Sequence, residues 1–202
     1  KDDLINADVR GIAEDKSGNI WFTMHGHGVG CYNPDSHKMR EFSFNSSDSS
    51  SRLSNDYTYD ICTDDDGNLW ISSAYGLTRL EPETGKCTIF LHNDSIKNSL
   101  SSNEVNTIIN DKSGYLWAGT NNGLNVFNKK TKSFQPVLTD KEIPFLAIKS
   151  IISTKPGEIW ATTQTGLICL QYSWPDSSES IHFSTRFFDR TNGIASSTFF
   201  PR

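Results

Sequence analysis

Clusters of basic residues are missing from this sequence: no run of Lys or Arg exceeds a pair, and the formal net charge is −5. That excludes nucleic acid as a partner of this segment, because such binding needs a basic footprint that releases counterions. No apolar run approaches the roughly 18–20 residues of a membrane span, and nothing at the start resembles a signal peptide. The chain opens with Lys1 rather than Met and closes on Arg202, which reads as a processed product or an excised piece of something longer. Cysteine is sparse and scattered: Cys31, Cys62, Cys87 and Cys169 include no CxxC pair. Closing a tetrahedral zinc site needs tighter spacing, so no metal is expected. The thiols read as small half-buried hydrophobes in strands; any disulfide pairing cannot be deduced from their positions. No G-x-S-x-G elbow, Walker loop or H-E-x-x-H occurs, and no cofactor is expected.

What is present repeats. "DKSGNIW" at 15–21 returns as "DDDGNLW" at 64–70, "DKSGYLW" at 111–117 and the weaker "TKPGEIW" at 154–160. Trp21, Trp70, Trp117 and Trp160 are spaced by 49, 47 and 43 residues, and Gly18, Gly67, Gly114 and Gly157 each stand three before a Trp. Six before each of those glycines is an isoleucine: Ile12, Ile61, Ile108, Ile151. Six after the Trp comes Gly76, Gly123 or Gly166; the first unit slips by one, to Gly28, and His27 holds the usual glycine phase. A catalytic motif needs writing once, whereas a phrase at regular intervals marks an architecture.

Each unit divides into four short extended runs. A β-branched run such as "VNTIIN" leads into an Asp/Gly turn, where Asp can bond the local backbone and Gly accepts positive φ. The Trp run, a polar turn, a third run such as "GLNVF" and a fourth such as "CTIF" follow, giving an antiparallel four-stranded meander. The first runs are apolar on both pleat faces, since Ile108 and Ile109 point opposite ways, so both faces of each sheet must be covered. Four-stranded sheets every 40–50 residues, packed face to face, predict an all-β protein, a β-propeller. The expected blades span about 4–44, 53–91, 101–138 and 144–186, and 187–200 reads as the approach to a further blade. Four blades in an open stack leave two apolar faces bare, so the reading is part of a larger propeller of about seven blades, or two copies associating.

The pattern V-x-x-I-x-x-D-x-x-G-x-[IL]-W-x-x-[TS]-x-x-G-L, seen as "VNTIINDKSGYLWAGTNNGL" at 105–124, resembles the two-component regulator propeller repeat. Unit four departs from it with Thr154 for the Asp and Pro156 in the turn. The resemblance covers about residues 8–198. It implies the periplasmic sensor domain of a Bacteroidetes hybrid histidine kinase that binds oligosaccharides from glycan breakdown. It further implies a receptor homodimer, signalling to a kinase outside this chain, and transcription of glycan-utilisation genes as output.

The loops joining strands two and three share a propeller face with those joining strand four to the next blade. Their tips differ from blade to blade: His25 and His27, Tyr75, Asn121 and Asn122, Gln164. Planar amides and aromatic faces are what sugar hydroxyls and C–H faces require. The longer serine-rich connections at 45–56 and 92–104 add Arg52 and Asn55, and Tyr57 follows the first. These nine are the candidate ligand residues; as turn and spacer residues they would be equally at home. His25-Gly26-His27 could bring two imidazoles together, but no third ligand is identifiable, and "DDDGN" at 64–68 lacks the alternate ligands of a calcium loop. Two other readings stay open. Residues 18–42 are also similar to repeats of streptogramin lyases, which would make His25 or His27 a catalytic base, and propellers also serve as protein-interaction scaffolds.

Overall fold

The computed structural model describes residues 7–137, 146–174 and 181–194. Within them, sixteen strands form four antiparallel sheets of four, each in sequence order. The first holds β1 (Asp8–Glu14), β2 (Ile20–His25), β3 (Gly28–Asn33) and β4 (Lys38–Phe42). The second holds β5 (Thr58–Thr63), β6 (Leu69–Ser73), β7 (Gly76–Leu80) and β8 (Cys87–Phe90). The third holds β9 (Val105–Asn110), β10 (Leu116–Thr120), β11 (Gly123–Asn128) and β12 (Ser133–Pro136). The fourth holds β13 (Ile148–Lys155), β14 (Glu158–Thr163), β15 (Leu167–Ser173) and β16 (His182–Phe188). The first strands adjoin in series, β1 on β5, β5 on β9 and β9 on β13, and together they line one axial cavity. This is the bladed all-β arrangement read from the sequence. A 3-10 turn, Arg190–Asn192, follows β16, and the rest of the expected approach to a fifth blade, from 195 on, lies outside the described residues. So do the expected blade edges at 4, 138 and 144.

The repeated phrase works as a clasp. In the first blade the Asp15 carboxylate accepts the backbone N–H groups of Ser17 and Asn19 and the indole N–H of Trp21, the last at 2.7 Å. Asp64 accepts from the Asn68 backbone and from Trp70 at 2.7 Å. Asp111 accepts from the backbones of Ser113 and Tyr115 and from Trp117 at 2.6 Å. Glycine closes each turn with φ of 76°, 91° and 76° at Gly18, Gly67 and Gly114, a region that a side chain disfavours. One carboxylate therefore fixes both the turn and the ring six residues on. Burial alone would raise the Asp15 carboxyl, but the bonds from Trp21, Asn19 and Ser17 outweigh it and hold it below its usual range.

Unit four has no Asp, and Glu158 takes over from the other side of the turn. It accepts from the Gln171 amide at 3.1 Å, the Thr154 hydroxyl at 2.8 Å and the Trp160 indole at 3.2 Å. Those donors, Gln171 first, bring its pKa down to about 2. The sequence pattern announces the turn bond, while the bond to the indole emerges only in three dimensions.

Trp21, Trp70 and Trp117 each pack against the next blade. Ile61 shares a core cluster with Trp21, Ile108 with Trp70, and Ile151 with Trp117. Ile109, one residue on from Ile108, packs the other way against the Trp117 cluster, as the two-faced apolar pattern requires. Burying one such indole is worth on the order of 3 kcal/mol. The ends of the series show what the interface supplies. Ile12 is 71% exposed where its equivalents Ile61, Ile108 and Ile151 are 4%, 1% and 7%. Ile152 is exposed, and Trp160 is half-buried with Phe188 stacked on it at 5.3 Å. The two outer faces thus carry unmatched halves of one interface. All four thiols are free and lie in strands, and burial pushes the Cys87 thiol up to about 12.

Candidate functional site

Every first strand enters its sheet at the face that carries the strand two to three turns, and every one is bulged there. In the third blade Val105 pairs with Thr120 and Thr107 with Gly119, so Asn106 is the extra residue. In the fourth, Ile148 pairs with Thr163 and Ser150 with Thr162, which makes Lys149 the extra one. In the first two blades the shift falls between Val9 and Ile12 and between Thr58 and Ile61. Bulges re-aim side chains. The residue eleven before the Trp is Arg10, Tyr59, Asn106 or Lys149, and the residue before each of these is Val9, Thr58, Val105 or Ile148, all β-branched. Hydroxyls of the second strand satisfy the bulged backbone: Thr23 accepts Gly11 N–H at 2.8 Å, and Ser72 accepts Asp60 N–H at 2.9 Å.

These four side chains form an arc at the axial end of the blades. The Arg10 guanidinium lies 5.5 Å over the Tyr59 ring and donates to Asp8 at 2.8 and 3.0 Å. His25 stacks on Tyr59 as well, its ring 5.4 Å away, and lies 5.1 Å, edge on, from Tyr57. Burial, followed by the Glu104 charge, raises the Tyr59 hydroxyl. Asn106 donates both amide protons, to Asn121 Oδ1 at 2.9 Å and to the Ile148 carbonyl at 2.8 Å. Lys149 donates to the same Asn121 oxygen at 3.3 Å. Below the arc, Asp60 accepts from the Thr107 hydroxyl at 2.9 Å and the Ile108 N–H at 3.1 Å, tying the second blade to the third. Burial nonetheless pushes the Asp60 carboxyl up.

The residues expected from sequence divide into two groups and some outliers. Tyr57 and Tyr75 are 55% and 53% exposed, and their loops adjoin because Ala74 N–H donates to the Tyr57 carbonyl at 2.9 Å. With half-buried His25 they make an aromatic ledge on the first two blades. Asn121 joins Asn106 and Lys149 on the other two. Arg52 and Asn55 shape their own connection, Arg52 donating to the Ser46 carbonyl at 2.7 Å and Asn55 accepting Tyr57 N–H at 2.8 Å. Asn122 donates to the Ser101 carbonyl at 3.2 Å, while His27 and Gln164 are exposed in their turns. Among the described residues no three His, Cys, Asp or Glu gather to hold a metal ion. Sequence reasoning missed Arg10, Tyr59, Asn106 and Lys149, although variation at one position beside fixed neighbours was the signal to follow.

A second cavity, of about 320 Å³, lies under the connection from the second to the third blade, lined by His92, Leu100, Asn122 and Val137 among others. His92 Nδ1 is 2.5 Å from the Leu100 carbonyl and Nε2 is 2.9 Å from Asp94. Both partners are acceptors, so the doubly protonated ring fits them best, and the Leu100 carbonyl, then Asp94, raises its pKa.

Residues 3–26, 52–75 and 99–122 match the model of the two-component regulator propeller. Among solved structures the chain is similar to the extracellular domain of a protein named as a hybrid two-component system from B. thetaiotaomicron. The TM-score is 0.72 at 26% identity, over 96% of this chain and 25% of that one. A second such domain from B. thetaiotaomicron gives 0.70 at 22%, over 95% and 24%. PorZ, a surface component of the type-IX secretion system of Porphyromonas gingivalis, shares the fold with a TM-score of 0.65 at 18%, over 94% and 28%. The chain spans about a quarter of the length of the structures it resembles. No curated protein matches it in sequence. No helix among the described residues is long and apolar enough to cross a membrane.

Proposed function

We propose that this chain, whose repeats are those of the two-component regulator propeller, is a sensor segment of a hybrid two-component receptor facing the periplasm. It binds an oligosaccharide on the face that carries the bulged first-strand residues, and it has no catalytic role of its own. The observation that supports this reading is the division of labour within the repeat: the clasp and core are nearly constant, and chemical variety collects at one end of the blades. That variety is of the kind sugars need, with exposed rings at Tyr57 and Tyr75 and amides at Asn106 and Asn121.

Signalling follows from differential affinity. A ligand that favours one arrangement of a receptor homodimer shifts the population toward it, and a histidine kinase outside this chain reads that shift into transcription of glycan-utilisation genes. The exposed outer faces at Ile12 and Ile152 suit further blades supplied by the same receptor. The test is to sequence the reading frame on both sides of the segment. An apolar run of about 20 residues followed by a kinase module is the expected result. A frame without either overturns the receptor reading and moves an interaction scaffold to the front.

A further inference from the structure

The hydrogen bonds within the arc leave an uneven set of free groups, and that unevenness names a ligand. Asn121 Oδ1 is occupied twice, by Asn106 and by Lys149. Asn106 has committed both amide protons. What these three side chains still offer is the remaining ammonium protons of Lys149, the amide protons of Asn121 and the carbonyl oxygen of Asn106. Lys149 has no carboxylate within ion-pair distance among the described residues. Glu104 is near in space, since its carbonyl accepts Asn121 N–H at 3.1 Å, and its charge acts on Tyr59.

The opposite end of the arc differs. There Arg10 carries the same charge, and Asp8 neutralises it with two bonds to one oxygen. One half of the mouth is therefore balanced and aromatic, and the other offers several donors and an ammonium with no carboxylate bonded to it among the described residues.

The geometry points to a sugar acid as the ligand of blades three and four: a hexuronic acid unit of an oligosaccharide. Its carboxylate would accept from Lys149 and from the Asn121 amide, and one of its hydroxyls would donate to the Asn106 carbonyl oxygen. A charged acceptor is what an unpaired, half-buried ammonium favours, because charge-assisted bonds are about twice as strong as neutral ones. This inference rests on the proposed glycan-binding reading and narrows it to acidic sugars, with Lys149 as the residue that selects them.

The experiment is calorimetric titration of the chain with two sets of oligosaccharides. One set is acidic, made of galacturonate, alginate and glucuronoxylan fragments; the other is neutral, made of xylo-, gluco- and galacto-oligosaccharides. An acidic fragment should bind, more weakly as salt is raised, and Lys149→Met should weaken it about 10-fold or more. Lys132→Met, which removes an equal charge from the exposed turn between β11 and β12 at the opposite end of the blades, should leave affinity unchanged. If Lys149→Met lowers the melting temperature, Lys149→Gln, which removes the charge and keeps a donor, gives the same test. Acidic binding that survives both Lys149 variants overturns the assignment. Binding of neutral fragments alone overturns it too and leaves the glycan reading standing, whereas binding of neither set overturns both.

Discussion

Removing one carboxylate should unfasten a whole blade. Asp111 is buried, and in the native chain it accepts four hydrogen bonds: from the backbones of Ser113 and Tyr115, from the Trp117 indole and from the Tyr172 hydroxyl. In Asp111→Ala the two turn amides can turn to water, because Ser113 is exposed and Tyr115 half-buried. The indole and the phenol cannot, since both rings lie in the core shared by blades three and four. Each buried donor left unsatisfied costs about 1–3 kcal/mol, so the variant should lose about 2–6 kcal/mol. For a domain of this class that is a large part of the roughly 5–15 kcal/mol that holds it folded. Urea unfolding followed by tryptophan fluorescence reads it: with a slope of about 2 kcal/mol/M, the midpoint should fall by about 1–3 M. Trp117→Phe removes that donor together with part of the buried ring, a packing loss that a mutant cycle cancels. Combined with Asp111→Ala in a double-mutant cycle, it should show a coupling of about 0.5–3 kcal/mol. A loss below about 1 kcal/mol for Asp111→Ala, or no coupling, would refute the clasp as the reason the phrase is repeated.

Four further outcomes follow from the same structure. Ile108→Ala should cost about 2–5 kcal/mol, and its exposed equivalent Ile12→Ala only about 0.5 kcal/mol or less, in parallel urea titrations; equal costs would contradict the blade-on-blade packing. Glu158 has a folded pKa of about 2 against an ordinary 4.5, so its contribution is present above pH 4.5 and lost as pH falls toward 2. The melting-temperature gap between the native chain and Glu158→Gln should therefore close across that window, and a constant gap would speak against the bonds assigned to it. His92 runs the opposite way: its raised pKa gives stability that is full below its ordinary value of 6.5 and lost as pH rises through the folded value. A proton NMR titration of its ring should place it above 6.5, and a value at or below that would remove the two-acceptor cage. Finally, Cys87 should react slowly with a thiol reagent at pH 8, because burial holds it protonated, and fast reaction would show that its strand opens.

The wall of this protein was legible in its sequence, and the furniture was less so. Gly67 and Trp70 could be placed because a hairpin turn and a buried ring are local or periodic demands that four copies state together. The two-faced strand at Ile108 and Ile109 was legible for the same reason, since its alternation has only one packed solution. Glu158 could not be recognised as a substitute for the missing Asp, because the repeat writes its carboxylate six residues before the Trp, and here it stands two before, on the strand of Trp160 itself. The arc is a different failure. Arg10, Tyr59, Asn106 and Lys149 sit inside strands, where pleat alternation assigns each residue a face, and a one-residue bulge resets that assignment. Loop tips drew attention because they vary, and Arg52 and Asn55 vary while using their side chains to shape their own loop.

The most direct test of where this protein does its work is hydrogen–deuterium exchange of the chain with and without a bound oligosaccharide. Slower exchange should appear where the first strands begin, around Arg10, Tyr59, Asn106 and Lys149, and in the turn at Tyr75. The clasp turns at 15–18, 64–67, 111–114 and 154–157, at the opposite end of the blades, should not change. Protection confined to those turns would place the ligand on the wrong face and contradict the account.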